Sequence, residues 1–142
     1  FSGELTNWQQ VGGADKPIVV ITSPKGSGMR NAVKKMILQE KDYLSREIVS
    51  AIVAASDQQV SMFPVGITAV SRSMLDADHV KTVKVDGVAG TAENVATGKY
   101  SLTKPLTLVT NGEPQGDLAR FITLVKSPKG KGALQRSFVL AE

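Results

Sequence analysis

The apolar positions of this chain change period abruptly at one place. Ile18, Val19, Val20 and Ile21 form a short, continuous β-branched run, the pattern of a strand covered on both faces. Pro17 precedes it, where a missing N–H costs little. Ser23-Pro24-Lys25-Gly26-Ser27-Gly28 then breaks the run. Beyond the break, Met29, Val33, Met36 and Ile37 recur at helical spacing, while Lys34, Lys35 and Gln39 point elsewhere. The switch predicts a strand, a tight Gly-rich turn and an amphipathic helix from Pro17 to Leu38, with the helix starting within two residues of Ser27.

The same reading extends along the chain. Gln9 to Lys16 carries Gly12-Gly13 and Asp15-Lys16 and reads as a loop. Ser45 to Ser56 reads as a second helix, capped by Ser45, with Ile48, Val49, Ile52 and Val53 as its apolar stripe and Gln58 and Gln59 leading out. Val65 to Val70 reads as a short strand after Pro64, Val80 to Val85 as a strand with a more exposed face, and Leu106 to Val109 as another. Thr91 is the N-cap of a short helix that Gly98 ends. Pro114 starts a helix with Leu118, Phe121, Ile122 and Val125 on one face. A last short helix runs through Ala133 and Leu134, and the chain closes on apolar Phe138-Val139-Leu140. Strands alternating with helices predict an α/β sandwich with a mixed or largely parallel sheet.

A strand that feeds a Gly-rich turn into a helix leaves the first amides of that helix without intrahelical partners and aims them at one point. The helix dipole adds partial positive charge there. Gly26 and Gly28 let a ligand approach the backbone closely, and Ser27 can cap the helix or donate its hydroxyl. Gly26, Ser27, Gly28, Met29 and Arg30 are therefore the candidate oxyanion-binding residues, against the alternative of a plain turn. Trp8, the sole tryptophan, is a packing anchor or a ligand contact.

The stretch Ser23-Pro24-Lys25-Gly26-Ser27-Gly28-Met29-Arg30 resembles the second-lobe signature of the phosphate-binding proteins that serve bacterial phosphate ABC transporters. That signature has an Arg, two polar residues, Gly-Ser-Gly-Thr and often another Arg. The Gly-Ser-Gly and Arg30 match. Ser23 stands where the family has Arg and Met29 where it has Thr, and both departures remove phosphate-binding groups. Phe1 to Trp8 is similar to the family's Phe-x-Gly-Lys-Ile-Thr-Asn-Trp, and Gly66-Ile67-Thr68 is a looser match to Gly-Ala-Ile-Gly-Tyr. Asp86-Gly87-Val88 through Thr91, Glu93, Asn94 and Val95 looks like Asp-Gly-Val-x-x-Thr-x-Glu-Asn-Val. Lys99 to Leu106 follows Lys-Tyr-Pro-Leu-x-Arg-Pro-Leu, and Ser127-Pro128-Lys129-Gly130 resembles Ser-Pro-Glu-Gly.

The resemblance covers nearly the whole chain in one order. It implies a single domain over residues 1–142, one lobe of a type 2 periplasmic-binding-protein fold: a three-layer α/β sandwich comprising the second lobe and the C-terminal return. The implied function is phosphate or similar oxyanion binding, weak for this lobe alone, with an ABC transporter permease as partner and a periplasmic or extracellular location. The alternative is a ligand-free interaction module that docks to another protein or self-associates, with Phe138, Val139 and Leu140 as candidate contacts. The chain begins with Phe1 rather than Met, which fits a processed or trimmed form whose targeting segment and first lobe lie elsewhere.

Composition narrows the picture further. The 142 residues are enough to bury a sizeable core. A net charge of +4, spread along the chain rather than in a dense run, suits attraction of anions more than a nucleic-acid footprint. Aromatics at 5% do not supply a base-stacking platform. With no cysteine, disulfides, thiolate chemistry and Cys-based zinc sites are excluded, and no apolar run approaches the ~18 residues of a membrane span. The G-x-x-x-x-G-K-[ST] pattern of a nucleotide-binding loop is absent. Lys25 and Met29 flank Ser27 where a nucleophile elbow needs glycines. His79 lies in Asp76-Ala77-Asp78-His79, which reads as a solvated loop or a weak metal site. Glu40, Asp42 and Glu47 sit among lysines and Arg46 and read as surface. No catalytic constellation, metal site or cofactor is expected, and the chain reads as a binding protein rather than an enzyme.

Overall fold

The computed structural model describes residues 1–44, 46–50, 56–75 and 77–140. Contacts divide the chain into two compact units, Phe1–Thr82 and Val83–Glu142.

The first unit is built on the predicted strand, turn and helix. Strand β1 runs Val19–Thr22 and helix α1 runs Gly28–Met36. The buried apolar positions among the described residues are Val20, Ile21, Val33 and Leu38. All lie in β1, α1 or the two residues beyond it, so this stretch supplies its own core. Ser27, the predicted cap, has extended backbone, and its side chain accepts a hydrogen bond from the Arg30 amide. The helix begins one residue after it. Its apolar face is narrower than the spacing predicts. Val33 is buried, but Met36 and Ile37 stand exposed, because the helix ends at Met36 and Gln39 and Glu40 turn the chain through left-handed backbone.

β1 is the central strand of a parallel three-stranded sheet. Strand β2, Ile48–Val49, pairs on one side, with Ile21 opposite Ile48 and Thr22 opposite Val49. Strand β3, Gly66–Ile67, pairs on the other, with Val19 opposite Gly66 and Val20 opposite Ile67. Helix α2, Ser56–Met62, packs on β1 and β3.

This overturns the expected helix from Ser45 to Ser56. Ile48 and Val49, read as part of a helical stripe, form a strand instead. β-Branched pairs fit a pleated surface, and the free edge of β1 decides between the two periods. Gln58 and Gln59 belong to α2 rather than leading away from a helix. Ser45, Ile52 and Val53 lie outside the described residues. The strand expected from Val65 to Val70 shrinks to two residues.

The N-terminal segment is less loop-like than its glycines suggest. Asn7 caps a 3-10 turn over Trp8–Val11, and Gln10 closes a capping box back onto it. The Trp8 indole donates to the Val65 carbonyl at 3.0 Å, which holds this turn at the start of β3. That is the geometry of a packing anchor.

The strand expected from Val80 to Val85 does not form, and its last residue, Val85, instead opens a tight hairpin turn. Val85 and Val88 exchange both backbone hydrogen bonds at 2.9 Å across Asp86 and Gly87. Both central residues have positive φ, 51° and 78°, the type I′ geometry that Asp-Gly favours. The segment Leu106 to Val109 is likewise not a strand. Leu106, Leu108 and Val109 are exposed, so burial does not select a pleated conformation here.

Three helices follow: α3, Ala92–Ala96; α4, Gly116–Lys126; and α5, Pro128–Leu134. Thr91 caps α3 through the Asn94 amide, and Gly98 follows in left-handed backbone, as expected. α4 starts two residues after Pro114, from Gln115. Ser127 ends α4 and caps α5, accepting from the Gly130 amide while its hydroxyl donates to the Leu124 carbonyl at 2.6 Å. On α4, Ile122 and Val125 are half-buried, whereas Leu118 and Phe121 are exposed.

Candidate functional site

The carboxyl end of β1 opens into the turn that starts α1. In an open parallel sheet this is where ligand crevices form. Thr22 ends the strand, Ser23 follows it, and both are buried. Pro24 accepts from the Ser27 amide at 3.1 Å and tightens the turn. Gly26 sits at φ 82°, which a side chain would strain, and the space above its backbone is open. Ser27 caps the Arg30 amide at 3.2 Å. The amides of Gly28 and Met29, the first two of α1, have no intrahelical acceptor. The structure thus assembles Gly26, Ser27, Gly28, Met29 and Arg30 into a single strand-to-helix turn, with two helix amides and the Ser27 hydroxyl hydrogen available to an acceptor.

Beside the turn lies a small hollow of about 10 Å³, room for one water at most. Ser23 and Met29, the two departures from the phosphate-binding signature, both line it, together with Thr22, Arg30 and Tyr43. Ser23 is only 3% exposed, and its hydroxyl has no partner. A buried hydroxyl without a partner costs free energy, roughly 1–3 kcal/mol, and an acceptor placed in the hollow would recover it.

Arg30 is held from several sides. One guanidinium nitrogen donates to the Thr22 hydroxyl at 2.8 Å and to the Ser23 carbonyl at 3.3 Å. Another pairs with the Glu47 carboxylate, both side chains being 12% exposed. The guanidinium lies 4.2 Å from the centre of the Tyr43 ring, a cation–π contact, and the Tyr43 hydroxyl donates to the Arg30 carbonyl at 3.1 Å. Phe1 meets the Tyr43 ring edge-on, with centroids 6.3 Å apart. Burial pushes the Tyr43 hydroxyl up to about 12, partly opposed by Arg30 and reinforced by Glu47.

Glu47 is thus a correction to the surface carboxylate expected from sequence. It is a buried counter-ion at the site, while Asp42 makes an exposed pair with Lys34 at 3.2 Å. Tyr43 and Thr22 were equally hidden in the sequence. The available signal was Arg30 itself, a helix residue one turn from the N-terminus facing a strand end, where a guanidinium needs a carboxylate or an aromatic face. Of the weak metal reading at His79, Asp76 lies outside the described residues, and among the described residues no three potential ligands gather. No described helix is long and apolar enough to cross a membrane.

Comparison with known proteins agrees with this architecture. Residues 1–130 match the family described as PBP superfamily domain. The chain is 31% identical over 131 residues to the phosphate-binding protein PstS of Bacillus subtilis, covering 89% of this chain and 42% of that protein. It is 24% identical to the PstS of Borreliella burgdorferi, covering 95% of this chain and 52% of that one. It therefore spans about half the length of these curated relatives. Among solved structures, a Clostridium perfringens chain described as a phosphate ABC transporter substrate-binding protein, with bound phosphate, superposes with a TM-score of 0.91 at 28% identity, over all of this chain and 59% of that one. An ABC-type phosphate transport receptor from Vibrio cholerae shares the fold, with a TM-score of 0.80 at 22% identity over all of this chain and 60% of that one. With the sheet, the turn and the family match in agreement, the chain belongs to the PBP superfamily and is similar to PstS.

Proposed function

We propose that this chain is an oxyanion-binding lobe, with phosphate as its ligand, of an ABC-transporter solute-binding protein. The observation that carries the reading is the start of α1, where the Gly28 and Met29 amides lack intrahelical acceptors beside the Ser27 hydroxyl, and Met29 shares a small hollow with the unsatisfied buried hydroxyl of Ser23. Gly26 to Arg30 are the proposed ligand residues. Backbone amides and the helix dipole favour an anion there. The names of the relatives support phosphate over other oxyanions. The reading takes residues 1–142 as one domain, the second lobe with its return segment. It places the protein outside the cytoplasmic membrane, delivers its ligand to a transporter permease, and assigns it no catalytic step.

Calorimetric titration at low ionic strength tests the reading. Phosphate should give saturable heat with a dissociation constant on the order of millimolar, about −4 kcal/mol, because a helix terminus open to water is screened. Chloride at matched ionic strength should not. Equal responses to phosphate and chloride would overturn it.

A further inference from the structure

We propose that Asn111-Gly112 is a site of spontaneous covalent modification, where the Asn111 side chain deamidates through attack by the Gly112 backbone nitrogen. Asparagine is a thermally labile residue, and the chain has four: Asn7, Asn31, Asn94 and Asn111. Only Asn111 precedes a glycine. Asn7 donates to the Asp15 carboxylate at 2.9 Å and accepts from the Gln9 and Lys16 amides. Asn31 lies inside α1. Asn94 lies inside α3, where its side chain donates to the Ala89 carbonyl at 3.0 Å and the next amide, that of Val95, donates to the Thr91 carbonyl. Asn111 instead stands in an exposed bend ahead of Pro114, the kind of loop tip where such changes are tolerated. Among the described residues, neither its side chain nor the Gly112 N–H makes a hydrogen bond. Gly112 has left-handed backbone, φ 78°, and no atom beyond its chain neighbours lies within 4 Å of where a Cβ would stand. Nothing therefore shields the attacking nitrogen, and glycine brings no side chain of its own.

The chemistry balances with water as the sole co-reactant. The Gly112 nitrogen loses its proton to base and bonds to Cγ of Asn111. The side-chain bond from Cγ to nitrogen breaks, and ammonia leaves after taking up a proton. Water then opens the resulting ring. Attack at Cγ breaks the new bond and yields aspartate. Attack at the main-chain carbonyl breaks the original peptide bond and yields isoaspartate, whose backbone runs through Cβ and Cγ. Either product carries a carboxylate that is ionised near neutral pH, so the net charge falls from +4 by one unit. The isoaspartyl form also adds a methylene to the backbone. It does so across the span where the Thr110 hydroxyl donates to the Gly112 carbonyl at 2.8 Å, and that bond should be lost.

Incubation of the full chain at mildly alkaline pH, folded in buffer and unfolded in urea, followed by tryptic mass mapping, tests this. Lys or Arg separates all four asparagines, so each falls in a different peptide. In the folded chain the peptide ending at Arg120 should gain about one dalton and split into two forms on chromatography. It should convert about tenfold faster than the peptides of Asn7, Asn31 and Asn94, the rate equivalent of opening one hydrogen bond. Asn111 should convert at similar rates folded and unfolded, whereas Asn7 and Asn94 should speed up on unfolding. Asn111→Gln should suppress the gain, because the longer side chain must close a larger ring. Another asparagine converting first in the folded chain overturns the proposal. So does an Asn111 rate more than about tenfold slower folded than unfolded, or a gain that persists in Asn111→Gln. None of these outcomes bears on phosphate binding at the start of α1.

Discussion

Ser27 does two things at the start of α1, and they can be separated. Its oxygen accepts from the Arg30 amide at 3.2 Å, which stabilises the helix start, while its hydrogen stays free for a ligand. Ser27→Ala removes both. It should cost about 1 kcal/mol of stability by urea unfolding and also weaken phosphate binding, whereas Ser27→Gly should cost only a few tenths and weaken binding as much. Equal stability losses in the two variants would show that the cap contributes nothing. Tyr43 gives a second residue-scale test. Its hydroxyl is pushed from 10.0 up to about 12, so the folded protein holds this proton more tightly than the unfolded chain. The linked stability is fully present below pH 10 and is lost as pH rises toward 12. Tyr43→Phe should flatten that decline in alkaline unfolding curves. If wild type and variant lose stability in parallel across that window, the Tyr43 environment is misassigned.

At the scale of elements, what was legible depended on how many local signals agreed. The stretch from Pro17 to Leu38 combined a four-residue β-branched run, two glycines, a serine cap and a helical apolar spacing, and its strand, turn and helix form, with the helix ending at Met36. Thr91 was equally legible, because a cap is a local hydrogen bond that needs no tertiary partner. Ile48 and Val49 were not, because their spacing fits a helix and a strand alike and only the distant edge of β1 settles it. The Val80 to Val85 alternation gave way to a turn carried by Asp86-Gly87, a pair that itself predicts a hairpin. Within the site, the turn could be read from sequence but the Arg30–Glu47 pair could not. It joins residues 17 apart through packing of the first unit.

The strand–turn–helix also carries the test of the two departures from the phosphate-binding signature. Ser23 and Met29 line the same hollow, so Ser23→Arg with Met29→Thr should restore a charge-assisted contact of roughly 1.5–3 kcal/mol and a neutral one of about 1 kcal/mol. After discounting for a half-open site, phosphate should bind ~10-fold more tightly or better, with the gain falling as salt is added. A folded double variant with unchanged low-salt affinity would reduce the Gly26 to Arg30 stretch to a plain turn.

At the scale of the molecule, the chain spans 42% and 52% of its two curated relatives, and the proposed site is a helix terminus open to water. Such a terminus is screened by solvent, which favours weak binding. The central claim concerns where the anion sits, and backbone amide NMR during phosphate titration measures that most directly. The account predicts saturable shifts concentrated at Gly26, Ser27, Gly28, Met29 and Arg30, with Ser23 beside them. Saturable shifts confined to other parts of the chain, with these amides unmoved, would contradict it.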